Sequence, residues 1–117
     1  MRKIDVAFIG GGNMATSLIG GLLSNGLPSN RITVSDPAEA QLERLRARFG
    51  VKTTSSNTAA LSAADVGVLA VKPQQLARVA EEIAPVLKSD RKLMISIAAG
   101  IRLQDLQRWL GTSCAVV

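Results

Sequence analysis

Three consecutive glycines, Gly10-Gly11-Gly12, follow a short apolar stretch from Ile4 to Ile9. With Asn13-Met14-Ala15 they fit the pattern G-x-G-x-x-A, which is typical of a loop that binds the pyrophosphate of a dinucleotide. The first glycine permits the tight turn, the second leaves room for the pyrophosphate, and the final small residue lets helix and strand pack closely. The helix that follows would offer free N–H groups and the positive end of its dipole to the phosphates. A plain strand-to-helix turn is the alternative, but one glycine would supply its positive φ.

An acidic residue stands at the end of the next strand-like stretch. Ile32 to Ser35 predicts a short strand, and Asp36 follows it, 24 positions beyond Gly12. An acidic residue about 20 positions after such a glycine loop binds the hydroxyls of the adenosine ribose. The stretch from Asp36 to Glu39 also fits a helix start, with Asp36 as N-cap, proline at N1 and glutamate at N3. We therefore expect Asp36 to contact ribose, to cap the helix, or to do both.

Two more stretches stand at the ends of predicted strands. Ala70-Val71-Lys72-Pro73 closes one apolar stretch, and Ala98-Ala99-Gly100 closes the next. The ligand crevice of a doubly wound sheet lies at the carboxyl ends of its strands. Pro73 restricts Lys72 to an extended conformation and starts the next helix, while small residues at 98–100 would let a cofactor lie close. Ordinary loops, one with a solvated lysine, are the alternatives.

Strand and helix patterns alternate along the whole chain. Continuous apolar stretches predict strands buried on both faces, and helical spacing between them predicts covering helices. Strands are expected at 4–9, 32–35, 51–54, 66–71, 93–99 and in the final "CAVV". Helices are expected at 13–26, 38–49, 58–64, from Pro73 onward, and at 101–110. Pro85 should bend or end the helix that begins at Pro73. The alternation predicts an α/β fold with a doubly wound parallel sheet and helices on both faces. Close packing on that sheet would explain Gly20-Gly21 within the first helix.

Composition narrows the function further. The 117 residues suit one domain, and they include a single cysteine, Cys114, and no histidine. A disulfide framework, a cysteine-based metal site and Ser-His or Cys-His nucleophile pairs are therefore excluded, so we expect no metal and a cytoplasmic location. The net charge is +5, but the basic residues are spread along the chain, which argues against a nucleic-acid partner. No apolar stretch approaches the ~20 residues of a membrane span.

With these stretches in place, the chain resembles the pyrroline-5-carboxylate reductases. "FIGGGNMA", "SDP", "AVKPQ" and "SIAAG" occur in that order, and the last two together are the most discriminating. The resemblance covers essentially the whole chain and implies a Rossmann-like NAD(P)-binding domain over residues 1–117. It implies reduction of 1-pyrroline-5-carboxylate to L-proline in proline biosynthesis. The cofactor contacts that it implies are at Gly10, Gly12, Asn13, Met14, Ser35, Asp36, Asn57, Ala70, Val71, Lys72, Pro73, Ala98, Ala99 and Gly100.

The same resemblance implies a second, helical domain that dimerises and forms most of the substrate site. The chain stops within the strand-like "CAVV", so we expect a fragment that lacks this domain and is inactive alone, from a parent enzyme that is a homo-oligomer. NADP is the expected cofactor, with NAD accepted. These residues offer no catalytic acid or base, and we assign Lys72 only to placing the cofactor or the small-molecule substrate.

Other functions stay open on the sequence alone. The same cofactor domain would serve a reductase of the beta-hydroxyacid dehydrogenase type or an F420-dependent NADP reductase. A module that senses a dinucleotide without catalysis is a third possibility, although the "CAVV" end argues against it.

Overall fold

A computed structural model describes residues 4–89, 92–97 and 108–110, and the backbone of 115–116. The strands are β1 (Val6–Ile9), β2 (Ile32–Ser35), β3 (Lys52–Thr54), β4 (Val66–Leu69), β5 (Leu93–Ser96) and β6 (Ala115–Val116). The helices are α1 (Asn13–Ser24), α2 (Glu39–Phe49), α3 (Asn57–Ser62) and α4 (Pro73–Ser89). A 3-10 turn at Ser29–Arg31 precedes β2, and residues 108–110 are helical.

The six strands form one sheet in the order β3-β2-β1-β4-β5-β6, and every neighbouring pair is parallel. Val6 at the start of β1 pairs with Ile32 of β2 on one side and with Val66 of β4 on the other. The order therefore reverses beside β1, which is the switch point of a doubly wound fold, where ligands bind. The predicted Rossmann-like fold is confirmed.

Each face of the sheet has its own hydrophobic core because successive residues of a strand point to opposite faces. Val6 and Phe8 of β1 contribute to the core under α1 and α2, which also contains Ile19, Leu42 and Leu45. Ala7 and Ile9 contribute to the opposite core, where the side chains of α3 and α4 are Ala60, Leu61, Leu76, Val79, Ala80, Ile83 and Leu87. The two cores hold the carboxyl ends of β1, β2 and β4 at one edge.

Most predicted boundaries agree with the structure within two residues. β2 has the predicted bounds, and α2 ends at Gly50, whose φ of 72° is left-handed. β4 ends at Leu69 rather than Val71, because the chain leaves the sheet after the Ala70 N–H donates to the Ile9 carbonyl over 2.8 Å. β5 ends at Ser96, and residues 98–107, which include the end of the strand predicted at 93–99 and most of the helix predicted at 101–110, lie outside the described residues.

Pro85 was predicted to bend or end its helix, and the second of these alternatives is wrong. α4 runs 17 residues and includes Pro85, although proline removes one backbone donor and costs about 3 kcal/mol in a helix interior. Ile83 and Leu87 flank the proline, and both are buried. Burying each such side chain stabilises the folded protein by about 1.5–3 kcal/mol, so packing on both sides of Pro85 offsets the cost of the proline.

Neither α4 nor any other helix among the described residues has the length and apolar character of a membrane span.

The glycine pair in α1 is not explained by close packing. A methyl group added at Gly21 would meet nothing within 4 Å, and one added at Gly20 would meet Phe49 at an ordinary 3.8 Å. We therefore expect Gly21→Ala to raise the free energy of unfolding by about 0.5–1 kcal/mol, because alanine loses less backbone entropy in a helix. Urea denaturation measures this. Gly10→Ala is the opposed control and should destabilise; a Gly21→Ala protein no more stable than the parent would contradict the explanation.

Candidate functional site

The three glycines between β1 and α1 differ in what a side chain at each position would meet. Gly10 has a φ of +105°, and an added methyl group would lie 2.7 Å from the Ala70 carbonyl oxygen. A methyl group at Gly11 would lie 3.0 Å from Leu45 Cδ1. At Gly12 the same addition meets nothing within 4 Å, and its φ of −77° suits any residue. The fold therefore requires glycine at position 10 and disfavours a larger residue at position 11, whereas position 12 has room for a side chain.

Gly12 is also the N-cap of α1. Its carbonyl oxygen accepts from the Thr16 N–H over 2.9 Å, but no side chain caps this helix end and its first turn contains no acidic residue. Asn13 and Met14 are exposed there, while Ala15 is fully buried against the sheet as predicted. The N–H groups of a first helical turn have no intrahelical partners and favour an anion. An anion-binding turn thus stands directly beside the open space at Gly12.

Asp36 holds the glycine loop instead of capping α2. One carboxylate oxygen accepts from the Gly11 N–H over 2.9 Å, and the other accepts from the Ala38 N–H over 2.8 Å. The expected cap is wrong: Ala38 is the N-cap, and Glu39 is the first helical residue. Because Pro37 has no N–H, the first donor that Asp36 reaches ahead is Ala38, and this bond forms an Asx turn before the helix.

A groove of about 410 Å³ lies along the carboxyl ends of the strands. It brings together eight of the predicted site residues: Gly10, Gly12, Ser35, Asp36, Asn57, Ala70, Val71 and Lys72. Asn13, Met14 and Pro73 lie in the first turns of α1 and α4, next to lining residues but outside the lining itself. Ala98, Ala99 and Gly100 lie outside the described residues.

One face of α4 contributes residues that the sequence analysis missed. The lining residues of this face are Gln75 and, three, four and seven positions beyond it, Arg78, Val79 and Glu82. That spacing was the available signal, because residues three, four and seven apart share a helix face. Arg78 adds a second cation to Lys72, whereas Asp36 and Glu82 add two carboxylates. The groove therefore carries both signs of charge.

A chain of side-chain hydrogen bonds connects β2 to α4 beside the groove. The Ser35 hydroxyl donates to Asn57 Oδ1 over 2.7 Å, and Asn57 Nδ2 donates to Glu82 Oε1 over 2.7 Å. Ser35 has no solvent-exposed surface, so its polar group is satisfied inside the protein. Ser56 caps α3 by accepting from the Ala59 N–H, and this fixes the first turn that carries Asn57.

Comparison with known proteins adds the family. A family model described as NADP oxidoreductase, coenzyme F420-dependent, matches residues 5–100. The chain belongs to this family. It is also 46% identical over 117 residues to the pyrroline-5-carboxylate reductase of Pseudomonas aeruginosa, covering 100% of this chain and 42% of that protein. The chain therefore spans about two fifths of the length of that curated relative.

Two solved structures of pyrroline-5-carboxylate reductases agree closely with the fold. A pyrroline-5-carboxylate reductase from Coxiella burnetii has 38% sequence identity and a TM-score of 0.94, over 98% of this chain and 43% of that one. The Plasmodium falciparum pyrroline carboxylate reductase, solved with NADP bound, has 26% identity and a TM-score of 0.84, over 99% of this chain and 41% of that one. The resemblance predicted from the motifs is confirmed.

Proposed function

We propose that this chain is the cofactor-binding part of a pyrroline-5-carboxylate reductase. In this proposal residues 1–117 form one NAD(P)-binding domain of a two-domain enzyme that reduces 1-pyrroline-5-carboxylate to L-proline. The observation that carries the proposal is Gly12, with open space around it, beside the uncapped first turn of α1, because helix capping alone would favour Ser, Asp or Asn over glycine at this position. The curated reductases that match the whole chain support the substrate.

The residues present fit a dinucleotide. The uncapped turn at Asn13 and Met14 suits the pyrophosphate, and the strand end at Ser35 and Asp36 suits the adenosine ribose. NADP is the proposed cofactor, with NAD accepted; the Plasmodium relative was solved with NADP. When bound, the reduced nicotinamide supplies the hydride, and the protein's part is to bind and orient it.

The strand end that follows β4 would place the reactive half of the cofactor. Ala70 and Val71 leave the sheet here, and the Lys72 carbonyl oxygen accepts from the Gln75 N–H over 2.9 Å, which fixes the turn into α4. The exposed Lys72 ammonium group then stands in the groove, where it would place cofactor or substrate by its charge. We propose no catalytic acid or base, and we extend the cofactor contacts to Ala98, Ala99 and Gly100.

The description of the matching family model favours one other function, an F420-dependent NADP reductase. A chimera separates the two: this chain is joined to the carboxyl-terminal part of the Pseudomonas aeruginosa relative. We expect the chimera to oxidise NADPH with pyrroline-5-carboxylate. A folded chimera that binds NADPH, yet is inactive with pyrroline-5-carboxylate and active with coenzyme F420, would contradict the proposal.

The location and assembly of the protein are part of the same proposal. We propose a cytoplasmic enzyme, because a single cysteine, Cys114, cannot form an internal disulfide framework. The complete enzyme is proposed to be a homo-oligomer that associates through its second domain and to act on a small molecule, without a nucleic-acid or membrane partner.

A prediction follows for Asp36 and cofactor choice. Asp36→Asn keeps an oxygen that can accept from Gly11 but removes the negative charge beside the proposed ribose position. Because a 2′-phosphate is repelled by a carboxylate, we expect NADPH to bind roughly three- to tenfold more tightly relative to NADH. Parallel titrations with the two dinucleotides measure the ratio. An unaltered ratio would show that Asp36 only supports the loop.

A further inference from the structure

We propose that Glu82 is a positioning residue that weakens the preference of this groove for a ribose 2′-phosphate, so that a cofactor with a free 2′-hydroxyl is accepted as well. It acts through Asn57, whose amide it holds in one orientation. The inference rests on the proposed dinucleotide site and deepens it by naming a group that moderates the preference for NADP over NAD. Glu82 lies on α4, 46 positions beyond Asp36, so sequence patterns around the ribose-binding strand end do not reveal it.

The hydrogen bonds have a fixed direction because of Glu82. An ionised carboxylate only accepts, so Asn57 must turn its NH₂ group towards Glu82 Oε1, at 2.7 Å. Its carbonyl oxygen then faces Ser35, 2.7 Å away, and the serine hydroxyl must donate its only hydrogen to it. The other acceptor near that hydroxyl, the Phe8 carbonyl oxygen, is farther away at 3.5 Å.

The fixed direction of these hydrogen bonds reduces the number of donors that a ribose 2′-phosphate could use. Ser35 stands at the end of β2 next to Asp36, which is where the adenosine ribose binds in folds of this type. A phosphate group is rich in acceptors and binds through donors. Here the Ser35 hydrogen is donated to Asn57 and one Asn57 N–H is donated to Glu82, so neither is free for a phosphate, and the Glu82 carboxylate adds a like charge. A ribose 2′-hydroxyl is not disfavoured in this way, because it can donate its hydrogen to the side-chain oxygens of the groove.

The two cations of the groove oppose this effect of Glu82. Arg78 lies one turn before Glu82 on the same face of α4, and Lys72 precedes the helix. Both would attract a 2′-phosphate, and the Glu82 carboxylate partly offsets them. Glu82→Gln removes the charge at nearly constant shape, and because its amide can also donate, it no longer fixes the orientation of Asn57. The variant should therefore bind 2′-phosphorylated ligands more tightly.

Binding constants for the protein with NADPH, NADH, adenosine 2′,5′-bisphosphate and 5′-AMP test the proposal. In Glu82→Gln we expect the two 2′-phosphorylated ligands to bind about three- to tenfold more tightly and the other two to change less than about twofold. Glu81→Gln is the matched control: it removes the same charge from the adjacent exposed position, which does not line the groove, and should leave all four constants within about twofold.

Asn57→Ala tests whether Glu82 acts through the amide. In that background most of the effect of Glu82→Gln should disappear, since residues that act through one another are not additive. The proposal is overturned if Glu82→Gln leaves the NADPH to NADH ratio unchanged while both bind, if Glu81→Gln shifts the ratio equally, or if the effect persists in full without Asn57. Failure of the unaltered, folded protein to bind any of the four ligands would instead overturn the proposed function itself, and this inference with it.

Discussion

Gly12→Val is expected to abolish measurable binding of NADPH and NADH while the chain keeps its fold. The added side chain would project from Gly12 into the groove, where the structure has no protein atom within 4 Å of the first added carbon. Its isopropyl group would occupy the space proposed for the pyrophosphate and keep it from the N–H groups of Asn13 and Met14. A loss of roughly 100-fold or more in affinity, about 2.7 kcal/mol, is expected.

The fold should tolerate this change. Gly12 has a φ of −77° and a ψ of −164°, which is extended backbone open to valine, and exchanging glycine for valine at an N-cap costs only about 1 kcal/mol. Gly21→Val is the matched control, because Gly21 lies in the same helix and also faces open space, away from the groove. Titration of all three proteins, with thermal unfolding alongside, decides the matter. If Gly12→Val bound NADPH and NADH as tightly as the unaltered chain, the open space at Gly12 would not be the pyrophosphate site.

The second large effect is the absence of proline formation by these 117 residues alone. The described groove supplies one wall, and the proposed two-domain arrangement places the opposing wall in a second domain, outside these 117 residues. An imine must be held close to the nicotinamide in the reacting orientation, and such positioning contributes about 7–11 kcal/mol to lowering a barrier. Losing it should reduce turnover to near the uncatalysed background, while binding of the cofactor persists.

NADPH oxidation with pyrroline-5-carboxylate measures this effect, with the full-length Pseudomonas aeruginosa relative assayed beside the chain. The chimera described above is the positive control, because it contains this chain unchanged. We expect the chimera to be active and the chain alone to be inactive. Turnover by the chain within tenfold of the full-length relative would show that the site is complete in these residues, and the proposed two-domain arrangement would be wrong.

The fold could be predicted from local patterns. The apolar stretch of β2 and the glycine stop at Gly50 each depend on neighbouring residues alone, so their positions were predictable. The continuation of α4 through Pro85 was not, because it depends on packing against a sheet that is distant in sequence. The same holds for Gly20-Gly21, where tight packing was expected and only open space or ordinary contact is found.

The candidate site was predictable where it follows strand ends and not where it depends on tertiary contacts. The glycine loop and the stretch from Ala70 to Lys72 both meet in the groove, as the sheet topology requires. One of the two hydrogen-bond partners of Asp36 is Gly11, 25 positions away, and only the folded sheet brings these two residues together. Which residues of α4 face the groove, Arg78 and Glu82 among them, depends on how the helix is oriented by packing on its hydrophobic core, and local sequence does not determine this orientation.

The glycine loop of this chain is proposed to bind a dinucleotide across the switch point of the sheet. Titration of the isotope-labelled protein with NADPH, followed through its backbone amide resonances, tests this binding. We expect saturable shifts at Asn13, Met14, Asp36 and Lys72, with little change at Asp5 and Arg31 at the opposite edge. No saturable shift, or shifts confined to the residues around Asp5 and Arg31, would contradict it.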